Sequence, residues 1–77
     1  MKKLKSPFEV VANALEINID LLNENSAIGE TLNWDSLNHM VIITDLETSY
    51  GIVIPNEDIE KYFTMKSIIQ LYENLSN

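Results

Sequence analysis

At 77 residues the chain is long enough for one small domain, which buries about 60–65% of the surface its unfolded form exposes and has no room for a deep enzyme cleft. Apolar residues make up 45%, and only two glycines and two prolines interrupt them, a composition that fits a compact helical domain and not a disordered chain. Twelve acids face five lysines; with Lys2, Lys3 and Lys5 ahead of Ser6, the rest of the chain carries −10, a field that repels nucleic-acid phosphates and draws basic protein surfaces.

With no cysteine, neither a disulfide framework nor a thiolate metal site is available, and any thiol chemistry must come from a group added to the chain. Met1–Lys5 has the charge of a signal-peptide start, but Glu9, Asn13 and Glu16 interrupt the segment after it and no apolar run reaches spanning length. The expectation is a cytoplasmic monomer without a membrane role: one domain over residues 1–77, with a basic extension at 1–5 and a frayed end at 76–77.

Ser6-Pro7-Phe8-Glu9 reads as a helix start, with Ser6 as cap, Pro7 at the first helical position and Glu9 reaching back to complete a capping box. Phe8, Val11, Ala12 and Leu15 form its apolar stripe. From Glu16 to Asn33 the helical pattern fails, and Ile17, Ile19, Leu21, Leu22, Ile28 and Leu32 serve as anchors for a long polar loop. The next helix runs from about Ser36 to Tyr50, capped by Asp35 and closed by Gly51. Ile52-Val53-Ile54-Pro55 is an extended link, with a strand as the weaker reading for want of a pairing partner. Asn56 caps a short third helix through Tyr62, and Thr64 caps a fourth with Met65, Ile68, Ile69, Tyr72 and Leu75 on its stripe.

At 100° per residue, His39, Ile42, Ile43, Leu46 and Tyr50 fall in one sector of the second helix about 100° wide, and Leu37, Met40, Val41 and Thr44 fall in the opposite one. A domain this thin buries one of these faces; the second is then a docking surface, unless the long loop folds over it. Ser36 adjoins that second stripe at the helix N-terminus, where free N–H groups and the dipole favour a negative group by about 0.3–1 kcal/mol. Asp35 serves as the cap, and as a group with which a modifying enzyme could hold a metal or orient the serine. On Asp35-Ser36-Leu37 alone, a plain helix-start serine remains an open reading.

Two other classes share these residues. A serine hydrolase needs His39 to reach Ser36, yet the helical angles turn His39 to the core, no carboxylate orients it and no glycine-rich turn offers an oxyanion hole. An adaptor that docks through the second stripe with an unmodified serine has the same composition. Asp20–Asn25 fails as a calcium loop because Leu22 stands where oxygen is needed, and a single histidine leaves no transition-metal cluster.

The ordered set Trp34-Asp35-Ser36-Leu37, Leu46-Glu47, Tyr50-Gly51-Ile52, Ile54-Pro55, Glu57-Asp58 and Thr64 resembles the acyl carrier protein family over nearly the whole chain. The resemblance implies an all-α four-helix bundle with three longer helices, a short third helix and a long first loop. It implies no catalysis by the chain itself. Ser36 would accept 4′-phosphopantetheine from coenzyme A through a separate, magnesium-dependent phosphopantetheinyl transferase, with Asp35 and Leu37 beside it. The arm's thiol would carry acyl or aminoacyl groups to loading, condensing or transfer enzymes, as in fatty acid biosynthesis or in aminoacyl and peptidyl carriers. Leu37, Met40, Val41, Thr44, Glu47, Glu57 and Ile59 would meet those partners, Asp45 would join the acidic contacts, and Ile59 and Tyr62 would border the arm. Asn33 stands where carriers often have glycine, and the second helix is less acidic than in fatty-acid carriers; with Trp34, this resembles carriers of a specialised pathway.

Overall fold

The computed structural model describes residues 4–76; the lysines at 2 and 3 and the expected fray at Asn77 lie outside the described residues. Three α-helices, α1 (Pro7–Leu15), α2 (Ser36–Tyr50) and α3 (Met65–Ser76), pack around one apolar core, with a 3-10 turn at Ile19–Leu21 and a 3-10 helix at Asn56–Tyr62. There is no strand among the described residues, only a bridge between Ala27 and Thr64, so 52–55 is the extended link expected. The four-helix, all-α architecture read from the sequence is the one observed, with its short third helix wound as 3-10.

Local chemistry sets the ends. Ser6 Oγ accepts the Phe8 N–H at 3.2 Å with Pro7 at the first position, but no hydrogen bond joins Glu9 to Ser6, so the capping box does not close. α1 ends on Glu16 at φ 57, a left-handed residue, from which Ile17 N–H reaches back to Ala12 O at 3.1 Å. Asp35 and Gly51 terminate α2 as their residue types demand, Gly51 at φ 66. Asn56 is not a cap: it is the first residue of the 3-10 helix, which follows Pro55 and has no side-chain cap. Thr64 Oγ1 does accept the Ser67 N–H in the first turn of α3, at 3.3 Å.

α1 contacts both α2 and α3 and is buried around more of its circumference than one stripe, adding Val10 and Ala14 to Val11, Ala12 and Leu15 while Phe8 stays half-buried. α2 contributes His39, Ile42, Ile43, Leu46 and Tyr50, the stripe expected; each aliphatic side chain there stabilises the fold by about 1.5–3 kcal/mol. Met65 and Ile68 close the core from α3.

The long loop is held differently from the expectation. Ile19, Leu21 and Leu32 are solvent-exposed, Ile17 and Ile28 half-buried, and Leu22, Ser26 and Trp34 supply the burial. Hydrogen bonds from Ile28 N–H to Phe63 O and from Met65 N–H to Ser26 O, both 2.9 Å, fasten it to the start of α3. It does not cover the second face of α2. Leu37, Met40 and Val41 on that face remain exposed.

Tyr50 ties the chain's start to this core: its hydroxyl donates to Lys5 O at 3.0 Å and its ring meets Tyr72. Burial, assisted by Tyr72, pushes its pKa up from 10.0 to about 12. The unfolded phenol ionises first, so the stability this group adds is complete below pH 10 and is lost as pH rises through about 12. Tyr50→Phe is expected to lower stability by about 0.5–1.5 kcal/mol at pH 7 in urea unfolding, and to make the decline of stability above pH 10 shallower than in the wild type.

Candidate functional site

The turn from Ala27 to Asp35 aims α2. Gly29 at φ 82 and Asn33 at φ 66 are its left-handed residues, and it is closed by Gly29 N–H to Trp34 O at 2.8 Å and Trp34 N–H to Thr31 O at 3.0 Å. Asn33 does what a glycine there could not: its Nδ2 donates to Leu15 O at 3.0 Å, satisfying a carbonyl at the end of α1. Asn38 Nδ2 in turn donates to Asn33 O at 2.8 Å, lashing the first turn of α2 back onto the loop.

Asp35 Oδ1 accepts the Asn38 N–H at 2.8 Å while Asp35 O accepts from His39 N–H at 2.8 Å, so the cap is complete. Ser36 is the first helical residue and is exposed; its hydroxyl makes no hydrogen bond within the described protein, and the Ser36 and Leu37 N–H groups are also without partners there. The first turn of α2 has no acidic side chain. Beside Ser36 lie Leu37 at 81% exposure, Met40 at 46% and Val41 at 41%. Exposed Thr44 extends the strip with its methyl group, because its hydroxyl is turned to Met40 O at 3.0 Å.

On the opposite face, His39 is 1% exposed. Its Nδ1 receives the Trp34 indole N–H at 3.1 Å and its Nε2 donates to Ile59 O at 2.9 Å, so both nitrogens are committed and neither is directed at Ser36. Trp34 stacks on it at 6.2 Å and Phe63 meets it edge-on at 4.7 Å. The sequence showed Trp34 beside the serine but not this burial; a tryptophan five residues before a core-facing histidine was the available signal.

The remaining residues named from the sequence are spread out. Glu47 stands about 16 Å further along α2 at about 1.5 Å per residue, with Oε2 accepting the Ile54 N–H at 2.8 Å. On the 3-10 helix Glu57 is exposed, Ile59 and Tyr62 are half-buried, and Asp58 pairs with Lys61 at 3.2 Å. No other ion pair occurs among the described residues. Surface grooves of about 370 and 610 Å3 flank the long loop, and neither includes Ser36. Among the described residues no group of three or more His, Asp or Glu could hold a metal ion, and no helix is long and apolar enough to cross a membrane.

This arrangement offers an unengaged hydroxyl beside an apolar strip. The chain is 34% identical over 68 residues to the acyl carrier protein of Campylobacter hominis, covering 88% of this chain and 86% of that one. It belongs to the acyl carrier protein family. The acyl carrier proteins of Thermosynechococcus vestitus, 30% identical over 74 residues with 96% and 88% covered, and of Campylobacter jejuni subsp. doylei, 35% identical over 66 residues with 86% of each covered, are further relatives. No protein-family model matches the chain. Family membership makes the protein a carrier.

The geometry explains Asn33, whose left-handed backbone places its amide on Leu15 O. Asn33→Ala is expected to lose about 1–3 kcal/mol, from the Leu15 bond together with the left-handed backbone, and Asn33→Gly less, because only the bond is lost. Thermal unfolding of the two variants beside the wild type checks the order.

Proposed function

We propose that this carrier holds acyl or aminoacyl groups as thioesters on a 4′-phosphopantetheine arm esterified to Ser36, and that it serves a specialised biosynthetic pathway. The observation that carries the reading is the exposed, unbonded Ser36 hydroxyl at the first position of α2, flanked by an apolar strip. The residues fit the group. The free N–H groups of Ser36 and Leu37 and the positive end of the α2 dipole would favour a phosphodiester on Ser36 Oγ by about 0.3–1 kcal/mol. When attached, the arm supplies the thiol that a chain without cysteine lacks.

Each neighbour has a role in this reading. Asp35 fixes the helix start through Oδ1 and keeps Oδ2 without a protein partner, open to the transferase and its metal. Leu37, Met40, Val41 and Thr44 form the landing strip for the transferase and for the loading, condensing or transfer enzymes. Methionine's flexible side chain adapts to several such partners. Glu57 and the free carboxylates speed the encounter with basic partner surfaces more than they tighten it, and half-buried Ile59 would border the arm. The acid-free first turn of α2 supports a specialised pathway, since a charged docking helix is replaced here by Asn38, Met40 and Val41. The chain acts as a cytoplasmic monomer and catalyses nothing itself.

Incubation with coenzyme A, magnesium and a broad-specificity transferase, followed by intact-mass measurement, is expected to show one added phosphopantetheine on the wild type and none on Ser36→Ala. No addition to the wild type with several competent transferases, or addition that survives in Ser36→Ala, overturns the reading. Met40→Asp is expected to raise the transferase KM by about tenfold, the cost of placing a charge in a desolvated contact, with kcat little changed.

A further inference from the structure

The 3-10 helix at Asn56–Tyr62 packs half-buried Ile59 and Tyr62 against the core but is held by few hydrogen bonds. None of its residues is fully buried, no side chain caps it, and its Asp58 N–H bonds only to Pro55 O. Among the described residues, the hydrogen bond tying this helix to another element is the one from His39 to Ile59 O, 2.9 Å long.

That bond belongs to a chain whose direction is fixed by chemistry. An indole N–H only donates, so His39 Nδ1 is an acceptor; a backbone carbonyl only accepts, so Nε2 carries the proton. The imidazole is held as one tautomer by two partners from different segments. Trp34, 1% exposed, lies in the loop that presents Ser36, and Ile59 lies in the 3-10 helix. Phe63, at the end of that helix, packs edge-on against the same ring. The three segments are thus indexed to one another through a single buried side chain that points away from Ser36.

We propose that His39 is a positioning residue: by linking Trp34 to Ile59 it sets where the 3-10 helix stands relative to the Ser36 loop, and so shapes the surface a partner enzyme meets. The link is asymmetric. Trp34 and His39 are sealed in the core and move together, whereas Ile59 is half-buried on an element with no other hydrogen bond outward. A partner that displaces the 3-10 helix breaks the Ile59 end and leaves the Trp34 end intact.

Only the kinetic arm of the test rests on Ser36 being the attachment residue. Ring nitrogen NMR of the wild type is expected to show the proton on His39 Nε2. His39→Phe keeps the ring and drops both bonds: amide hydrogen exchange over residues 57–62 should quicken about tenfold or more while α1 and α2 hold, and the transferase KM should rise about three- to tenfold with kcat within about twofold. His39→Gln, whose amide offers one acceptor and one donor, should recover part of both effects. A proton found on Nδ1, exchange quickened uniformly through all helices, His39→Gln as damaged as His39→Phe, or kcat falling in place of the KM change, each overturns the positioning role. If His39→Phe does not fold, the wild-type ring spectrum and His39→Gln decide. Should no transferase modify the wild type, the spectrum and the exchange still test His39, whereas normal modification with uniform exchange rejects His39 and leaves the carrier reading standing.

Discussion

The closure of the turn between Ala27 and Asp35 governs the direction of α2, and with it the setting of Ser36. That closure is polar. Asn33, Asn38 and Asp35 bind backbone groups on α1, the loop and the helix start, and Trp34 supplies the one large apolar anchor beneath them. Each of the three polar side chains bonds a backbone group, and no buried side-chain nitrogen or oxygen among the described residues lacks a partner. The serine is therefore carried on a hydrogen-bonded mount within a loop of some twenty residues, a length at which connecting segments are usually mobile or functional.

Charge is distributed with equal consistency. Between Ser6 and Glu60 the chain has no lysine or arginine, and among the described residues the one ion pair, Asp58 with Lys61, lies on the 3-10 helix. An exposed pair of that kind adds little to stability. The first turn of α2, beside the apolar strip, has no acidic side chain. Under the proposed carrier role, encounter and contact fall to different residues: long-range attraction to the carboxylates, short-range fit to Leu37, Met40 and Val41.

How much of this the sequence revealed depends on the range of the interaction. The two faces of α2 follow from angular placement alone, and His39, Ile42, Ile43, Leu46 and Tyr50 are buried as a period of 3.6 requires. Asp35, Gly51 and Thr64 are short-range signals and occupy the ends expected. Glu9 and Asn56 carried the same kind of signal and failed: Ser6 bonds one residue earlier in the helix, and Pro55 with its fixed φ opens a 3-10 helix, not an α-helix. The loop was least legible, because which of Ile19, Leu21, Leu22, Leu32 and Trp34 turns inward is decided by tertiary fit, to which local pattern is blind. Ser36 was legible as a candidate through the ordered set of residues around it. The Asn33 bond to Leu15 spans 18 positions and left no local trace.

Trp34 is the one tryptophan in the chain, sealed at 1% exposure and hydrogen-bonded to an imidazole on the side of α2 turned away from the apolar strip. An indole in such a place is an intrinsic optical probe: its emission arises from one known environment and needs no attached dye. The molecule thus contains its own spectroscopic gauge of the loop that presents the hydroxyl, readable in dilute solution as enzymes approach and leave.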